Sequence, residues 1–277
     1  MYKNKKICVA DLDGTLLPNR GKLSDKTINT LGELKEKGIL RVLATGRSLY
    51  SLRQALDEDA PFDYVIFSTG AGILNWQNQE LIHSQNLDNK QILEAHKILE
   101  EHEIDYMLHN SVPDTHLMHY RAKVGVKDFW DRVELYQRYA CEFDPKLVQN
   151  IEFATQYLAI VEPENHELLF EGLKQRLLPL KTIRTTSPLD FKSFWIEIFA
   201  PKVSKGHAII HLAESLGHGV DDCMVIGNDY NDLDMLEVCP NSYVVANSPD
   251  DLKERFTEVS SCKDDGFSEA VQAWLES

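Results

Sequence analysis

The chain has 277 residues, which suits two domains or one large domain. Hydrophobic residues make up 43% of it and its mean hydropathy is −0.32, so the composition supports a buried core. No apolar stretch approaches the about 18 residues that a membrane span needs, and the formal net charge of −15 argues against nucleic acid or an anionic membrane as a partner. If the chain binds an anion such as a phosphate, local lysines, arginines or a metal would have to overcome this repulsive field.

The N-terminus and the cysteines both favour a cytoplasmic location. Basic residues at positions 3, 5 and 6 precede an apolar run of only four residues, Ile7–Ala10, which is too short for a signal peptide. The five cysteines are dispersed and include no Cys-x-x-Cys pair, which is typical of reduced thiols. We therefore expect a cytoplasmic protein, with a monomer and a dimer both left open.

The first third of the chain alternates between predicted strands and helices. Ser24 is a favourable N-cap for a helix that Gly38 would end. The sequence predicts strands over 6–10, 39–44 and 64–67, helices over 24–38 and 49–56, and a hairpin over 73–82. This order with short links predicts a Rossmann-like parallel sheet with helices on both faces, and places catalytic residues at the carboxyl ends of its strands.

The pattern changes near residue 85 and returns near residue 190. The intervening segment predicts helices over 88–102 and 164–178 and strands over 106–109, 115–120, 156–161 and 181–186. We interpret residues 84–189 as an inserted α/β domain whose single sheet is covered by helices on one side. Residues 1–83 and 190–277 would form the core, whose second part supplies strands over 195–199, 224–226 and 243–245 and helices over 204–216 and 266–275.

The first strand ends in two aspartates, Asp11 and Asp13, followed by Gly14 and Thr15. Because side chains alternate along a strand, both carboxylates share one face if the backbone stays extended. Gly14 permits a sharp turn, and the Thr15 hydroxyl can hold the loop. One carboxylate can act as a nucleophile and the other as a general acid/base, with a hard cation between them. The alternative is an ordinary Asp-Gly turn.

Three further segments have the composition of a phosphate or metal site. Thr45 and Gly46 follow the second core strand, where a hydroxyl and turn amides suit a phosphate. Lys205 lies at a helix start, where a cation is unfavourable against the helix dipole, which favours a role with an anion. The loop 227–235 is rich in acids and amides and could hold Mg²⁺ through oxygen ligands. Each segment has a structural alternative, namely an ordinary turn or a capped helix start.

Together, these four motifs resemble those of the haloacid dehalogenase (HAD) superfamily of phosphatases, and more closely its Cof-like branch with a large α/β cap between the second and third motifs. The resemblance covers essentially the whole chain. It implies a HAD-like core with a cap that selects the substrate, Asp11 as nucleophile and Asp13 as general acid/base. Thr45 and Lys205 complete the implied catalytic set. The implied phosphate-binding residues are Asp11, Thr45, Gly46, Lys205 and Asn231.

The resemblance also implies Mg²⁺ as cofactor, held by the Asp11 carboxylate, the Asp13 backbone carbonyl and an acid of the fourth motif. That motif is usually Gly-Asp-x-x-Asn-Asp, and in this register Asn228 replaces the metal-binding aspartate. An asparagine carbonyl can ligate Mg²⁺, but it removes one negative charge from the site. We expect Asn228 as the ligand with Asp232 nearby in the metal site, and Asp229 as the alternative ligand.

The leading interpretation is a Mg²⁺-dependent phosphatase that hydrolyses a small phosphorylated metabolite, such as a sugar phosphate, through an aspartyl-phosphate intermediate. A phosphomutase or phosphotransferase acting on sugar phosphates would use the same residues and would differ in how the cap excludes water. A non-catalytic phosphate-binding protein that retains the fold is a further alternative, in which Asn228 would mark decay of the metal site.

Overall fold

The computed structural model describes residues 6–18, 22–164, 166–190 and 192–277. Within these ranges the chain forms two compact units. The first contains residues up to Arg47 together with Ser51–His83 and Ser204–Ser277, and the second contains Ser48–Tyr50 and Ser84–Val203. None of the described helices is long and apolar enough to cross a membrane.

The strands and helices are numbered along the chain. The strands are β1 (Ile7–Asp11), β2 (Leu40–Ala44), β3 (Tyr64–Phe67), β4 (Gly72–Asn75), β5 (Leu81–Ser84), β6 (Leu87–Asp88), β7 (Tyr106–Asn110), β8 (Met118–Arg121), β9 (Ala140–Glu142), β10 (Phe153–Val161), β11 (Lys181–Thr186), β12 (Phe194–Phe199), β13 (Cys223–Gly227), β14 (Asn241–Val245) and β15 (Thr257–Val259). The helices are α1 (Asp25–Glu36), α2 (Leu49–Ala55), α3 (Asn89–Glu101), α4 (Lys127–Leu135), α5 (His166–Arg176), α6 (Lys205–Ser215), α7 (Leu233–Val238), α8 (Asp250–Arg255) and α9 (Gly266–Glu276).

The sheet of the first unit has the strand order β15-β14-β13-β1-β2-β3-β4-β5. β1 pairs in parallel with both β13 and β2, so that Ile7 lies opposite Cys223 on one side and Leu40 on the other. The pairs β13–β14, β14–β15 and β2–β3 are also parallel, and β4 runs antiparallel to β3. The chain leaves β1 toward β2 and returns beside it at β13. The edge next to β1 is therefore the topological switch point at which such sheets bind ligands.

Helices cover both faces of this sheet, as the sequence predicts. Alternate residues of β1 point to opposite faces, and Ile7 and Val9 pack with Ile209 and Leu212 of α6. α1 and α9 contact each other, α1 also contacts β2 and α9 contacts β13, and neither helix belongs to the cluster around α6. The parallel α/β core expected from the alternation of strands and helices is therefore confirmed.

Two helix starts show why the sequence signals are reliable at these points. The Ser24 side chain accepts a hydrogen bond from the Thr27 amide at the start of α1, and Gly38 follows that helix with a φ of +70°. Asp88 caps α3 by accepting from the Gln91 amide, and the Gln91 side chain returns to the Asp88 amide as a capping box. These local hydrogen bonds fix where each helix begins.

The sheet of the second unit has the order β11-β12-β10-β7-β8-β9, and β6 also pairs with β10. β10 is antiparallel to β7 and to β12, whereas β8 and β9 are parallel. A second α/β unit thus interrupts the core between β5 and α6, in the interval where the sequence predicts an insertion.

Helices pack on both faces of this second sheet, which corrects the expectation that they cover one side. Leu158 and Ile160 of β10 pack with Phe129 of α4. Tyr157 points to the opposite face, where its hydroxyl donates a hydrogen bond to the Ile92 carbonyl of α3. The apolar stripe of α4 spans only nine residues, and such a stripe does not show which face of a sheet it will cover.

The boundary between the units lies between Val203 and Ser204 and not at residues 189–190 as expected. β12 pairs antiparallel with β10 and β11, so it belongs to the second sheet and not to the core. The Ser187 amide donates to the Ser193 carbonyl at 2.8 Å and closes the turn between β11 and β12. A buried apolar strand does not show in its own sequence which strands it pairs with, and for this reason the sequence placed it in the wrong sheet.

Candidate active site

The four motifs of the sequence meet at one edge of the first sheet. Asp11 is the last residue of β1, Thr45 directly follows β2, and Asn228 directly follows β13. These strands are parallel neighbours, so their carboxyl ends lie side by side. Lys205 begins α6, and its side chain reaches Asp11. The structure thus brings together residues that are distant in the chain, such as Asp11 and Asn228, which are 217 positions apart.

Lys205 lies at the centre of the site and is fully buried. Its ammonium group donates hydrogen bonds to Asp11 Oδ1 and to Asp232 Oδ1, both at 2.6 Å. Burial alone would lower the pKa of Lys205, but attraction to the two carboxylates outweighs it and holds the pKa above its ordinary value. Lys205 is therefore a fixed positive charge that can neutralise both Asp11 and a bound anion.

Asp11 is almost as deeply buried, with 4% of its surface exposed. Burial and then repulsion from Asp232 raise the pKa of Asp11 to about 7, and Lys205 opposes this shift. Lys205 occupies Oδ1, whereas Oδ2 faces the side chain of Asn228. A further cation beside Oδ2 would favour the ionised form of Asp11, which is the form that can act as a nucleophile.

Asp232 holds its neighbours in place. Its Oδ1 accepts from Lys205, and its Oδ2 accepts from the backbone amides of Asn228 at 2.8 Å and Asp229 at 3.2 Å. Gly227 is required here because a Cβ at that position would lie 2.6 Å from Asp232 Oδ2. Both oxygens of this carboxylate are thus engaged. The geometry favours a positioning role for Asp232 beside the candidate metal site, where the sequence predicts it.

Asp13 has a partner that the sequence interpretation missed. Arg47 donates from Nε to Asp13 Oδ2 at 2.7 Å and from Nη2 to Oδ1 at 2.6 Å. The Asp13 side chain is 50% exposed, in contrast to that of Asp11. Asp13 is therefore oriented by Arg47 and open to water, as an acid/base group must be if water is to reach it. Arg47 lies two residues after Thr45, close to a predicted site residue, but its position does not show which carboxylate it contacts.

Thr45 is buried in a turn that its own hydroxyl closes. The hydroxyl accepts from the Arg47 amide at 3.1 Å, and the Thr45 amide donates to the Ile66 carbonyl at 2.9 Å. The next strand end adds a strained turn, in which Ser68 and Thr69 have φ values of 47° and 58°. The Thr69 amide donates to the Thr45 carbonyl at 3.1 Å. The ends of β2 and β3 are thus locked together beside the site.

The turn after β1 packs directly against Asn228. Gly14 has a φ of +85°, and a Cβ there would lie 2.6 Å from Asn228 Nδ2, so this close approach requires glycine. One terminal atom of the Asn228 amide lies 3.1 Å from Asp11 Oδ2 and 2.9 Å from the Asp13 carbonyl oxygen. The same atom is 3.0 Å from Thr15 Oγ1. The Thr15 hydroxyl therefore holds the loop, as predicted.

These oxygens fit the cation that the motifs imply. Adjacent ligands of an octahedral Mg²⁺, with bonds of about 2.1 Å, are about 3 Å apart. With the amide oxygen facing inward, Asp11, Asp13 and Asn228 would present a carboxylate, a carbonyl and an amide oxygen at this spacing. Within the described ranges no group of three or more His, Cys, Asp or Glu side chains could hold a metal. The candidate cation site therefore depends on this mixed set of oxygens.

The remaining predicted residues lie in the same loops. Asp229, the alternative ligand, accepts from the Tyr230 amide at 2.7 Å with Oδ1 and so caps the short turn that follows. Gly46 lies in the turn after β2, and Asn231 lies half-buried in the turn after β13. Their parts in phosphate binding stay predictions.

A buried carboxylate paired with a fixed lysine lies at the switch point of a parallel α/β sheet, as expected for an enzyme of the phosphatase class that the motifs resemble. The sequence profile of the haloacid dehalogenase-like hydrolases matches residues 8–271. The chain therefore belongs to the haloacid dehalogenase-like hydrolase family, which confirms the resemblance found in its motifs.

Relatives and solved structures agree with this assignment along nearly the whole chain. The chain is 23% identical to an HMP-PP phosphatase of Yersinia enterocolitica, over 100% of this chain and 97% of the relative. It is 26% identical to a 5-amino-6-(5-phospho-D-ribitylamino)uracil phosphatase of Bacillus subtilis, over 93% of this chain and 94% of the relative. The structure of the phosphatase BT1666 of Bacteroides thetaiotaomicron matches with a TM-score of 0.80 at 18% identity, over 98% of this chain and 96% of that one. This last likeness shows the shared fold.

Proposed function

We propose that this protein is a Mg²⁺-dependent phosphatase that hydrolyses a small phosphorylated metabolite through an aspartyl-phosphate intermediate. The observation that carries the proposal is the buried array of Asp11, Lys205 and Asp232, joined by two contacts of 2.6 Å at the switch point of the core sheet. The names of the relatives, which are phosphatases of HMP-PP and of a phosphorylated ribitylaminouracil, support a small phosphorylated substrate.

Asp11 is the proposed nucleophile. One of its carboxylate oxygens attacks phosphorus in line with the leaving oxygen, and the bond from phosphorus to that oxygen breaks. Lys205 neutralises charge on both Asp11 and the phosphoryl group, and it acts strongly because the site is buried. The Thr45 hydroxyl and the amides of its turn would bind the phosphoryl oxygens at the adjacent strand end.

Asp13 is the proposed general acid/base. It protonates the leaving oxygen in the first step and then takes a proton from the water that attacks the aspartyl-phosphate, which releases phosphate and regenerates Asp11. Arg47 now engages both oxygens of Asp13. Each oxygen accepts one of these hydrogen bonds and keeps a second lone pair, which can take the proton.

Asp11, the Asp13 carbonyl and the Asn228 amide oxygen are the residues that would hold Mg²⁺. When bound, Mg²⁺ supplies positive charge that polarises the phosphoryl group and offsets the charge of the attacking carboxylate.

We also propose that the second unit selects the leaving group, because the catalytic residues described above lie in the first unit and act on the phosphoryl group that all phosphate esters share.

The test of the proposed function is the fate of the phosphoryl group on Asp11. Rapid quenching with a ³²P-labelled phosphate ester should give an acid-stable, base-labile label that peptide mapping assigns to Asp11, and Asp11→Asn should abolish both label and turnover. Asp57→Asn, which changes an exposed aspartate of the same unit, is the matched control. Release of inorganic phosphate equal to the alcohol formed distinguishes hydrolysis from transfer to a second sugar. A label on another residue, or full turnover in EDTA, would contradict the proposal.

A further inference from the structure

The Asn228 side chain makes an unusual set of contacts at the candidate cation site. One terminal atom of its amide approaches three oxygens, which are Asp11 Oδ2 at 3.1 Å, the Asp13 carbonyl at 2.9 Å and Thr15 Oγ1 at 3.0 Å. An amide can present either its oxygen or its nitrogen at that position, because the two orientations differ by a half-turn of the terminal group.

The two orientations differ in what they satisfy. With nitrogen inward, the two N–H groups of the amide have three oxygens within hydrogen-bonding distance, including the two that would ligate a cation. With oxygen inward, the Thr15 hydroxyl alone donates to it, and two lone-pair-bearing oxygens, of Asp11 and Asp13, face the amide oxygen with no proton between them. The second orientation is favourable only if a positive charge lies among the oxygens.

The residues around Asn228 restrict its side chain but still allow the terminal amide to rotate by a half-turn. The backbone of Asn228 is fixed, since its amide donates to the buried Asp232 carboxylate at 2.8 Å. Gly14 packs against the other side of the Asn228 amide and keeps the plane of the amide fixed. Within that plane the amide oxygen and nitrogen can still exchange positions. The neighbouring Asp229 is occupied in capping the Tyr230 amide and does not compete for the position.

We infer that Asn228 is a two-state positioning residue, whose amide nitrogen bridges Asp11 and Asp13 in the cation-free protein and whose amide oxygen turns inward to ligate the divalent cation. This inference rests on the Mg²⁺ site of the proposed function and adds that the same side chain takes the place of the cation when none is bound. An aspartate at this position could do only the second task. Its carboxylate would face Asp11 Oδ2 with no N–H group to donate between them, so the site would depend on the cation for its stability.

The experiment compares wild type with Asn228→Asp by thermal unfolding and by calorimetric titration with MgCl₂. In EDTA, Asn228→Asp should unfold at a lower temperature than wild type, since it places a half-buried carboxylate against the buried Asp11 carboxylate. In saturating MgCl₂ the variant should unfold at the same temperature as wild type or at a higher one. It should also bind Mg²⁺ about tenfold more tightly or better, because the number of charged ligands rises. Neither readout depends on turnover.

Two further variants control for charge and for folding. Asn228→Asp/Asp229→Asn keeps the net charge of wild type and exchanges the two side chains, so it should behave as Asn228→Asp does. Asn228→Ala removes both orientations; it should unfold below wild type in EDTA and also bind Mg²⁺ more weakly. If Asn228→Asp does not fold without Mg²⁺, the unfolding temperature of Asn228→Ala in EDTA shows whether the Asn228 amide stabilises the cation-free protein.

The outcomes separate this inference from the proposed function. If Asn228→Asp and wild type unfold at the same temperature in EDTA, the nitrogen-inward state is refuted while the Mg²⁺ site can stand. If Mg²⁺ binds equally to wild type, Asn228→Asp and Asn228→Ala, the ligand role of Asn228 is refuted. If Mg²⁺ binds to none of them, the metal part of the proposed function fails together with the inference.

Discussion

Replacing Lys205 by methionine removes the central cation and retains a side chain of similar length. In the intact protein Lys205 contacts Asp11 and Asp232 at 2.6 Å each, and none of the three side chains is more than 6% exposed. Burial and repulsion from Asp232 already raise the pKa of Asp11 in the presence of the lysine. Without Lys205, two carboxylates would face each other in the interior with no compensating charge, so we expect Lys205→Met to be strongly destabilising.

The size of the effect follows from burial. Removing one partner of a buried ion pair costs about 3–5 kcal/mol, because it leaves an uncompensated charge in a poorly solvated place. For a unit of this size, 1 kcal/mol shifts the melting temperature by about 2–4 °C, so a loss of roughly 6–20 °C is expected. The surface pair Lys253–Asp250 has the same chemistry at 2.7 Å but is exposed to solvent. Lys253→Met is therefore the matched control and should melt with wild type.

A double-mutant cycle in EDTA isolates the cause. Asp232→Asn removes one of the facing charges and retains an oxygen that can accept from the amides of Asn228 and Asp229. In the Lys205→Met background it should recover about 1–3 kcal/mol, whereas in the wild-type background it should cost stability. The opposite sign of the Asp232→Asn effect in the two backgrounds is the signature of the buried charge.

Differential scanning calorimetry or circular dichroism at pH 7 measures all four proteins. Lys205→Met melting within a degree of the Lys253→Met control would refute the argument that the array is held by buried charge. So would a lower melting temperature for Lys205→Met/Asp232→Asn than for Lys205→Met alone. Turnover is not the readout, since each of these changes affects the catalytic site directly.

Three further predictions concern the acid/base, the leaving group and pH. Asp13→Asn should still give a burst of p-nitrophenolate from p-nitrophenyl phosphate, since that leaving group needs no proton, but its steady-state turnover of an alkyl phosphate should fall by about 10²–10⁴-fold; undiminished alkyl phosphate turnover would exclude Asp13. Point substitutions in the second unit should change the order of preference among phosphate esters, measured as kcat/KM, whereas Lys205→Met should lower kcat/KM for all of them; a uniform loss with an unchanged order would exclude the second unit as the specificity element. Burial, with help from Arg132 and His116, lowers the pKa of His109 to about 3. In the unfolded chain the pKa of His109 is about 6.5, so the unfolded state takes up the proton first as the pH falls. Between pH 7 and 5 wild type should therefore lose about 2 kcal/mol of its free energy of unfolding that His109→Gln does not lose. Equal pH slopes of the two proteins in urea unfolding would contradict this.

The parts of the site that the sequence predicts are those fixed by short-range rules. Asp11, Asp13, Gly14 and Thr15 lie at the end of one strand and in the turn after it, and the positive φ of Gly14 is a property of that turn. The Thr15 hydroxyl bonds to Asn228, 213 positions away, so the sequence predicts that Thr15 holds the loop but not its partner. The meeting of this turn with Thr45 and Asn228 follows from topology, because the parallel neighbours β2 and β13 bring their carboxyl ends to the same edge as β1. Neither inference requires knowledge of a side-chain rotamer.

The parts that the sequence does not predict depend on side-chain direction or on strand partners. The Arg47–Asp13 pair joins residues 34 positions apart, and nothing local shows that Arg47 turns toward Asp13. The choice of Asp232 between a metal and Lys205 is likewise a matter of side-chain orientation. Short elements such as α7, with six residues, offer too few turns for a helical period to be recognised.

Charge connects the substitution at position 228 with the composition of the whole chain. Around the proposed phosphate site, the three carboxylates of Asp11, Asp13 and Asp232 face the two cations of Lys205 and Arg47, which leaves one net negative charge. An aspartate at position 228 would add a second. Because the chain as a whole carries a formal charge of −15, each further negative charge beside the phosphoryl group weakens the attraction for a dianionic substrate. Compared with an aspartate, Asn228 thus weakens the affinity for the cation and strengthens that for the anionic substrate. When no cation is bound, its amide nitrogen holds Asp11 and Asp13 together.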